Sequence, residues 1–162
     1  MTNDLLVSPI RVMTHSATEP AHTMSDSGET VRFFHIEVPF MEYVGLSADQ
    51  MDDGYCRTTL EPQPSLTNSR GDIHGGAIMS AMDFTMSAVA RSHKPLKYGC
   101  MTIDMATQFY ESSTTALTIE ARCGKRGRSI AFCDAEARKA DGTVVAVGRA
   151  VFKLVPLNDF DN

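Results

Sequence analysis

Between Gly76 and Ser92 the chain runs through Ile78, Met79, Ala81, Met82, Phe84, Met86, Ala88, Val89 and Ala90 with no glycine or proline after Gly76. Apolar residues at these positions cover nearly every face of a 3.6-residue helix, and such a helix is stable only when buried on most sides. The rest of the chain must therefore wrap around it. Pro95 and Gly99 in "HKPLKYG" supply its stop and turn signals.

Everything after the helix reads as strand. "CMTIDMATQFY" begins the series, and "TALTIEARCG" places Leu117, Ile119, Ala121 and Cys123 on one face with Thr118, Glu120 and Arg122 on the other. "RSIAFCDAEARKA" continues that alternation, and "GTVVAVGRAVFKL" follows a turn at Asp141-Gly142. These segments predict strands in hairpin succession, and "GYCRTTLEP" ahead of the helix adds another, giving an antiparallel sheet of about five to six strands. Ala131, Cys133, Ala135 and Gly148 are small, so the inward face they form is a cradle in which the helix lies close. The predicted class is α+β.

With 162 residues the chain has the size of one domain. Residues 1–32, rich in Ser, Thr and Pro, are predicted to be a mobile extension in which Met13 and Met24 are alternative starts. Residues 33–157 form the predicted domain and 158–162 a tail. A net charge of -5 carries no electrostatic footprint for nucleic acid. No window approaches the roughly 18 apolar residues of a membrane span and no secretory leader is visible, so no membrane partner and a cytoplasmic location are expected. Cys56, Cys100, Cys123 and Cys133 show no CxxC pairing and read as free core thiols; His15, His22, His35, His74 and His93 are scattered without a metal-ligand spacing. No metal or cofactor is expected.

The chemistry concentrates in "NSRGDIHGGAIMSAMDF", residues 68–84. Asp83 needs a partner or a polar cavity, because a carboxylate is rarely buried alone. Ser80 and Ser87, at i-3 and i+4, make a polar stripe with it. A satisfied core cluster is one reading; a base or nucleophile facing a cleft is the other. His74, Gly75 and Gly76 mark the helix start, where unpaired N–H groups favour a developing oxyanion, although Gly-Gly before a helix is also an ordinary turn. At 1.5 Å rise per residue, Gly75 and Asp83 stand roughly 12 Å apart along the axis. A single carbonyl cannot touch both, so joint catalysis would pair the helix start of one subunit with the acid of another at a two-fold interface.

Asn68, the His74-Gly75-Gly76 run, Asp83 and the following "MTIDM" at 101–105 together resemble the PaaI-like, phenylacetic-acid-degradation type hotdog-fold acyl-CoA thioesterases over roughly residues 35–155. The resemblance implies a hotdog fold, with a six-stranded antiparallel sheet around the long helix, a homodimer that continues the sheet and shares its active sites, and often a dimer of dimers. It implies that Gly75 supplies the oxyanion N–H, that Asn68 orients the carbonyl or the water, and that Asp83 of the partner subunit is base or nucleophile. Thr102 or Ser87 would supply the hydroxyl beside that acid, and His74 would mostly shape the helix start. Gly76 and Met82 are expected against the substrate. The hairpin "GKRGRS" holds Lys125, Arg126, Arg128 and Ser129, and reads either as a solvated turn or as a clamp for coenzyme A phosphates, with the resemblance favouring the clamp.

The expected activity is hydrolysis of an acyl-CoA thioester, with phenylacetyl-type or medium-chain acyl groups as the leading substrates. Coenzyme A belongs to the substrate and is not a cofactor. A hotdog hydratase would carry an Asp-x4-His pairing, but Ala88 follows Asp83 at that spacing. A non-catalytic acyl-CoA binding or sensor module would lack the acid, which is present.

Overall fold

A computed structural model describes residues 32–157. The mobile extension predicted for 1–32 lies outside the described residues except for Arg32, and the tail 158–162 lies outside them entirely.

The described chain opens with a hairpin of β1 (Arg32–Phe33) and β2 (Ile36–Glu37), then α1 (Pro39–Val44). β3 (Leu46–Asp52) and β4 (Tyr55–Leu60) follow, then a single 3-10 turn at Pro64–Leu66 and the long helix α2 (Gly75–Arg91). β5 (Tyr98–Phe109), β6 (Leu117–Arg126), β7 (Ile130–Arg138) and β8 (Val144–Pro156) complete the fold. The six longer strands form one antiparallel sheet in the order β3-β4-β6-β7-β8-β5.

One expectation needs correction, and one strand carried no sequence signal. β5 does not make a hairpin with β6; it crosses to the far edge and pairs with β8. β6, β7 and β8 are joined by short turns, whereas the chain leaves β5 through residues 110–116, which is long enough to pass to the other side of the sheet. The strand β3 was not legible because only Leu46 of "LSADQMD" is buried, so it has no apolar alternation to read.

α2 packs across β4, β5, β6, β7 and β8, so the sheet curls around it. Met82, Met86 and Val89 on the helix meet Leu117, Ile119, Val145 and Phe152 on the sheet, all 0% exposed. Burial of each such side chain contributes about 1.5–3 kcal/mol. The small-residue cradle is real: a Cβ added at Gly148 would lie 3.0 Å from Met82 Cε and 3.4 Å from the Ala106 carbonyl oxygen. Glycine there lets α2 approach the sheet. Thr85 and Thr58 are buried together with their hydroxyls 2.7 Å apart, and Thr85 also donates to the Ala81 carbonyl, so this core polar pair is satisfied.

The sheet's two edges differ. β3 is short, carries Asp49 and Asp52, and is broken by an irregularity between Ala48 and Gln50, all features that discourage further pairing. β5 is twelve residues long and presents Met101, Ile103 and Phe109 to solvent beside the exposed Met79 of α2. Such an edge is a template for another strand.

Candidate active site

The loop before α2 is built by Asn68. Its Oδ1 accepts the backbone N–H groups of Arg70 at 2.8 Å and Asp72 at 3.2 Å, an Asx-type turn that Gly71 completes at φ +86°. With its oxygen engaged in this way, Asn68 donates through Nδ2, and that hydrogen bond, after the one from Arg70, helps hold the Asp72 carboxyl below its ordinary value. Antiparallel bonds then fasten the next residues: Ile73 N–H donates to the Ser113 carbonyl at 2.8 Å and His74 N–H to Leu66 at 2.7 Å. These bonds aim the start of α2.

His74 is the N-cap, and its Nδ1 accepts the Gly76 N–H at 2.9 Å. The Gly76 N–H is thereby engaged within the helix cap. Ala77 and Ile78 N–H groups bond the His74 carbonyl. The Gly75 N–H has no partner among the described residues and lies at the positive end of the helix dipole. It borders a cavity of about 290 Å³ lined by Asn68, Ile73, Gly75, Ile78, Phe109 and Tyr110, with Arg70, Glu111 and Ser112 also at its wall. The ring of Phe109 lies against Gly75, 3.4 Å from where a Cβ would stand. Ile73, Phe109 and Tyr110 approach one another at this wall only because β5 swings back beside the helix start.

Two turns further along α2, Asp83 is half-buried and accepts a hydrogen bond from Thr102 Oγ1 on β5 at 2.8 Å. Burial raises its carboxyl above the ordinary carboxylate range, and the Thr102 bond offsets part of that shift. The polar stripe is otherwise not a cluster. Ser80 Oγ donates to the Gly76 carbonyl and Ser87 Oγ to the Phe84 carbonyl, both at 2.8 Å. Of the two hydroxyls expected beside the acid, Thr102 is the one that reaches it, and Ser87 is turned back on its own helix. An irregularity in the β5–β8 register between Thr102 and Asp104 sits next to this contact, as bulges often do where a side chain must be re-aimed. Asp83 faces the exposed β5 edge and is not among the residues lining the cavity at Gly75.

Residues 70–146 match the model of the Thioesterase superfamily. A solved protein of Pseudomonas aeruginosa is 28% identical with a TM-score of 0.69, covering 73% of this chain and 94% of its own. The E. coli PaaI protein, from the phenylacetic acid degradation operon, superposes with a TM-score of 0.68 at 18% identity, covering 73% of this chain and 85% of that one. The fold is a hotdog. A Halobacterium salinarum protein whose name marks it provisionally as an esterase is 24% identical over 80% of this chain and 93% of its own length.

Within the hotdog frame the basic hairpin divides. Arg126 is committed to the C-terminus of α2: Nε donates to the Ala90 carbonyl at 2.9 Å, Nη2 to the Val89 carbonyl at 2.9 Å and to Ser92 Oγ at 3.1 Å. Its Nη1 bonds Asp53 at 2.9 Å. A guanidinium holding the last carbonyls of a helix is a cap, so Arg126 serves the structure of the helix end. Lys125 and Arg128 are exposed and make no ion pair among the described residues, which leaves them available. Ser129 is exposed, and its carbonyl accepts the Leu154 N–H at 2.9 Å, tying the hairpin to β8. Met82 is 0% exposed beneath Gly148 and belongs to the core.

Two features gave no sequence signal. Arg91 is 1% exposed and holds the Phe34 and Pro95 carbonyls at 2.9 and 3.0 Å, fastening the β1–β2 hairpin to the end of α2. Phe33 and Phe34 of that hairpin pack on Phe84, with ring centroids 5.6 and 6.3 Å away. Among the described residues no group of three or more His, Cys, Asp or Glu side chains converges as a metal site.

Proposed function

We propose that this protein is a hydrolase of acyl-CoA thioesters, working as a homodimer whose two active sites each draw on both subunits. The match to the Thioesterase superfamily supports thioester hydrolysis in general. The observation that carries the finer reading is the separation, on one helix, of an unpartnered Gly75 N–H beside a cavity from a half-buried Asp83 beside an exposed strand edge.

The roughly 12 Å rise between them exceeds what one carbonyl can span. Antiparallel pairing of β5 with the β5 of a second copy would cover Met101 and Ile103 and bring Asp83 of the partner subunit towards the helix start. The thioester oxygen then receives the Gly75 N–H, and the Asn68 Nδ2 group orients the carbonyl or the water. Asp83 of the partner subunit, steadied by its threonine, takes a proton from water as the resulting hydroxide adds to the carbonyl carbon. The tetrahedral intermediate collapses by expelling the coenzyme A thiolate. A thiol leaving group has a pKa of about 8.5, so it departs without a dedicated acid. Asp83 acting directly as nucleophile would instead pass through a mixed anhydride.

Lys125 and Arg128 suit the nucleotide phosphates. The apolar wall of Ile73, Ile78, Phe109 and Tyr110 suits an aromatic or medium-chain acyl group. A panel of acyl-CoA esters, read by thiol release, tests the proposal. Turnover of at least one ester with 1:1 release of acid and coenzyme A is expected. Tight binding across the panel with no release would refute hydrolysis and leave a binding module.

A further inference from the structure

Three of the four cysteines lie on strands β5, β6 and β7 under the C-terminal half of α2, and two of them are direct neighbours. Cys123 on β6 and Cys133 on β7 are register partners in the antiparallel ladder. The Cys123 N–H donates to the Gly54 carbonyl at 3.2 Å, on the β4 side, so its backbone groups point away from β7. Towards β7 the pair is therefore of the non-hydrogen-bonded kind, in which opposing Cα atoms come to about 4.5 Å and side chains approach most closely. That spacing falls inside the window of about 4.4–6.8 Å that a disulfide spans. Both side chains take the inner face of the alternation, Cys133 at 2% exposure and Cys123 partly exposed.

From this geometry we infer that Cys123 and Cys133 form a reversible dithiol–disulfide site across the root of the β6–β7 hairpin. The ladder is irregular between Cys123 and Lys125, immediately beside the pair, so the backbone has room to adjust as the bond forms. The other two thiols are placed differently. Cys100 donates its Sγ–H to the Ser87 carbonyl at 3.2 Å, and Cys56 is 0% exposed on β4. Burial, and then the Cys123 thiol beside it, push the Cys133 thiol up. That makes Cys133 the slow partner and Cys123, the more exposed, the first to react.

With a peroxide as oxidant the steps balance. The Cys123 sulfur takes one peroxide oxygen to become a sulfenic acid as water departs. The Cys133 sulfur then attacks that sulfur and expels a second water, so two thiol hydrogens are lost and the peroxide is reduced to two waters. The bond would close the hairpin that carries Lys125, Arg126 and Arg128.

The test treats the folded full chain with hydrogen peroxide or, separately, with diamide, then blocks remaining thiols by alkylation and maps peptides by mass spectrometry. A Cys123–Cys133 linked peptide, lighter by two hydrogens and restored by dithiothreitol, is expected with both oxidants. The variant Cys133→Ala, checked for an unchanged circular dichroism spectrum, should lose the bridge and accumulate oxygen on Cys123. Should that variant fail to fold, Cys123→Ser at the more exposed position serves the same purpose and should abolish the bridge. A bridge that uses Cys100 instead, or thiols that stay fully alkylatable after both oxidants, overturns the inference.

Discussion

Replacing Asp83 with Asn preserves the size of the side chain and an oxygen that can accept from Thr102, but removes the charge and the basic lone pair. If the carboxylate takes a proton from water, its loss should lower kcat by about 10²–10⁴, or roughly 3–5 kcal/mol at 1.36 kcal/mol per decade. KM should change little, because a base that acts on the water contributes to the chemical step and not to ground-state binding. Stability should move the other way. Burial raises the Asp83 pKa above its usual 3.8, so the ionised side chain is less at ease in the folded protein than in the unfolded one. Below the unfolded value both states are protonated and nothing is lost. As pH climbs through the raised folded value, the stability that the protonated form retained disappears. At pH 7 the wild type carries that penalty and the Asn variant does not, so the variant should melt at an equal or higher temperature, with the gap narrowing towards pH 3.8. Steady-state thiol release and thermal unfolding between pH 4 and 8 supply both readouts. Wild-type kcat in the variant refutes the base. A variant that is inactive only because it melts well below the wild type refutes the view that this acid is held for function at a cost to stability.

Removing the hydroxyl with Thr102→Val should reduce kcat by about tenfold, since a hydrogen bond to a charged group is worth about 1.5–3 kcal/mol. The acid limb of the kcat/KM profile should shift to higher pH, because that bond lowers the Asp83 pKa; an unshifted limb would show that the contact is idle. Arg126→Ala should lower the thermal midpoint by several degrees through the loss of charge-assisted bonds to Ala90, Val89 and Ser92, leaving KM for an acyl-CoA near wild type. The double change Lys125→Ala and Arg128→Ala should do the reverse, raising KM severalfold without altering the midpoint. Ile103→Asp places a charge on the exposed β5 edge; light scattering should report a monomer, and activity should fall with it, whereas a fully active monomer would contradict a shared site.

Much of the frame was legible because periodicity is a local property. A helix apolar on most faces, followed by segments of period two, leaves few solutions other than a sheet curled around the helix. The small residues Ala131, Cys133, Ala135 and Gly148 announced where that helix would lie closest. Asn68, Gly75 and Asp83 stood out because their chemistry is at odds with a plain turn and a plain core helix. β3 escaped notice because its side chains are nearly all exposed and leave no alternation. The place of β5 at the far edge is a matter of pairing between segments distant in sequence, and hairpin logic assigned it to β6 instead.

At the site itself, the residue types and their spacing along α2 were set by the chain: 1.5 Å per residue keeps Gly75 and Asp83 about 12 Å apart in any fold that retains the helix. Which hydroxyl serves the acid was decided only when β5 was laid beside α2, because Ser87 had its own backbone to bond and Thr102 did not. The same holds for Arg126, which a sequence places in a basic run and the tertiary structure places on the end of a helix more than thirty residues earlier. Local chemistry is written along the chain, whereas the hydrogen-bonding partner of a long side chain depends on what folding brings within about 3 Å of it.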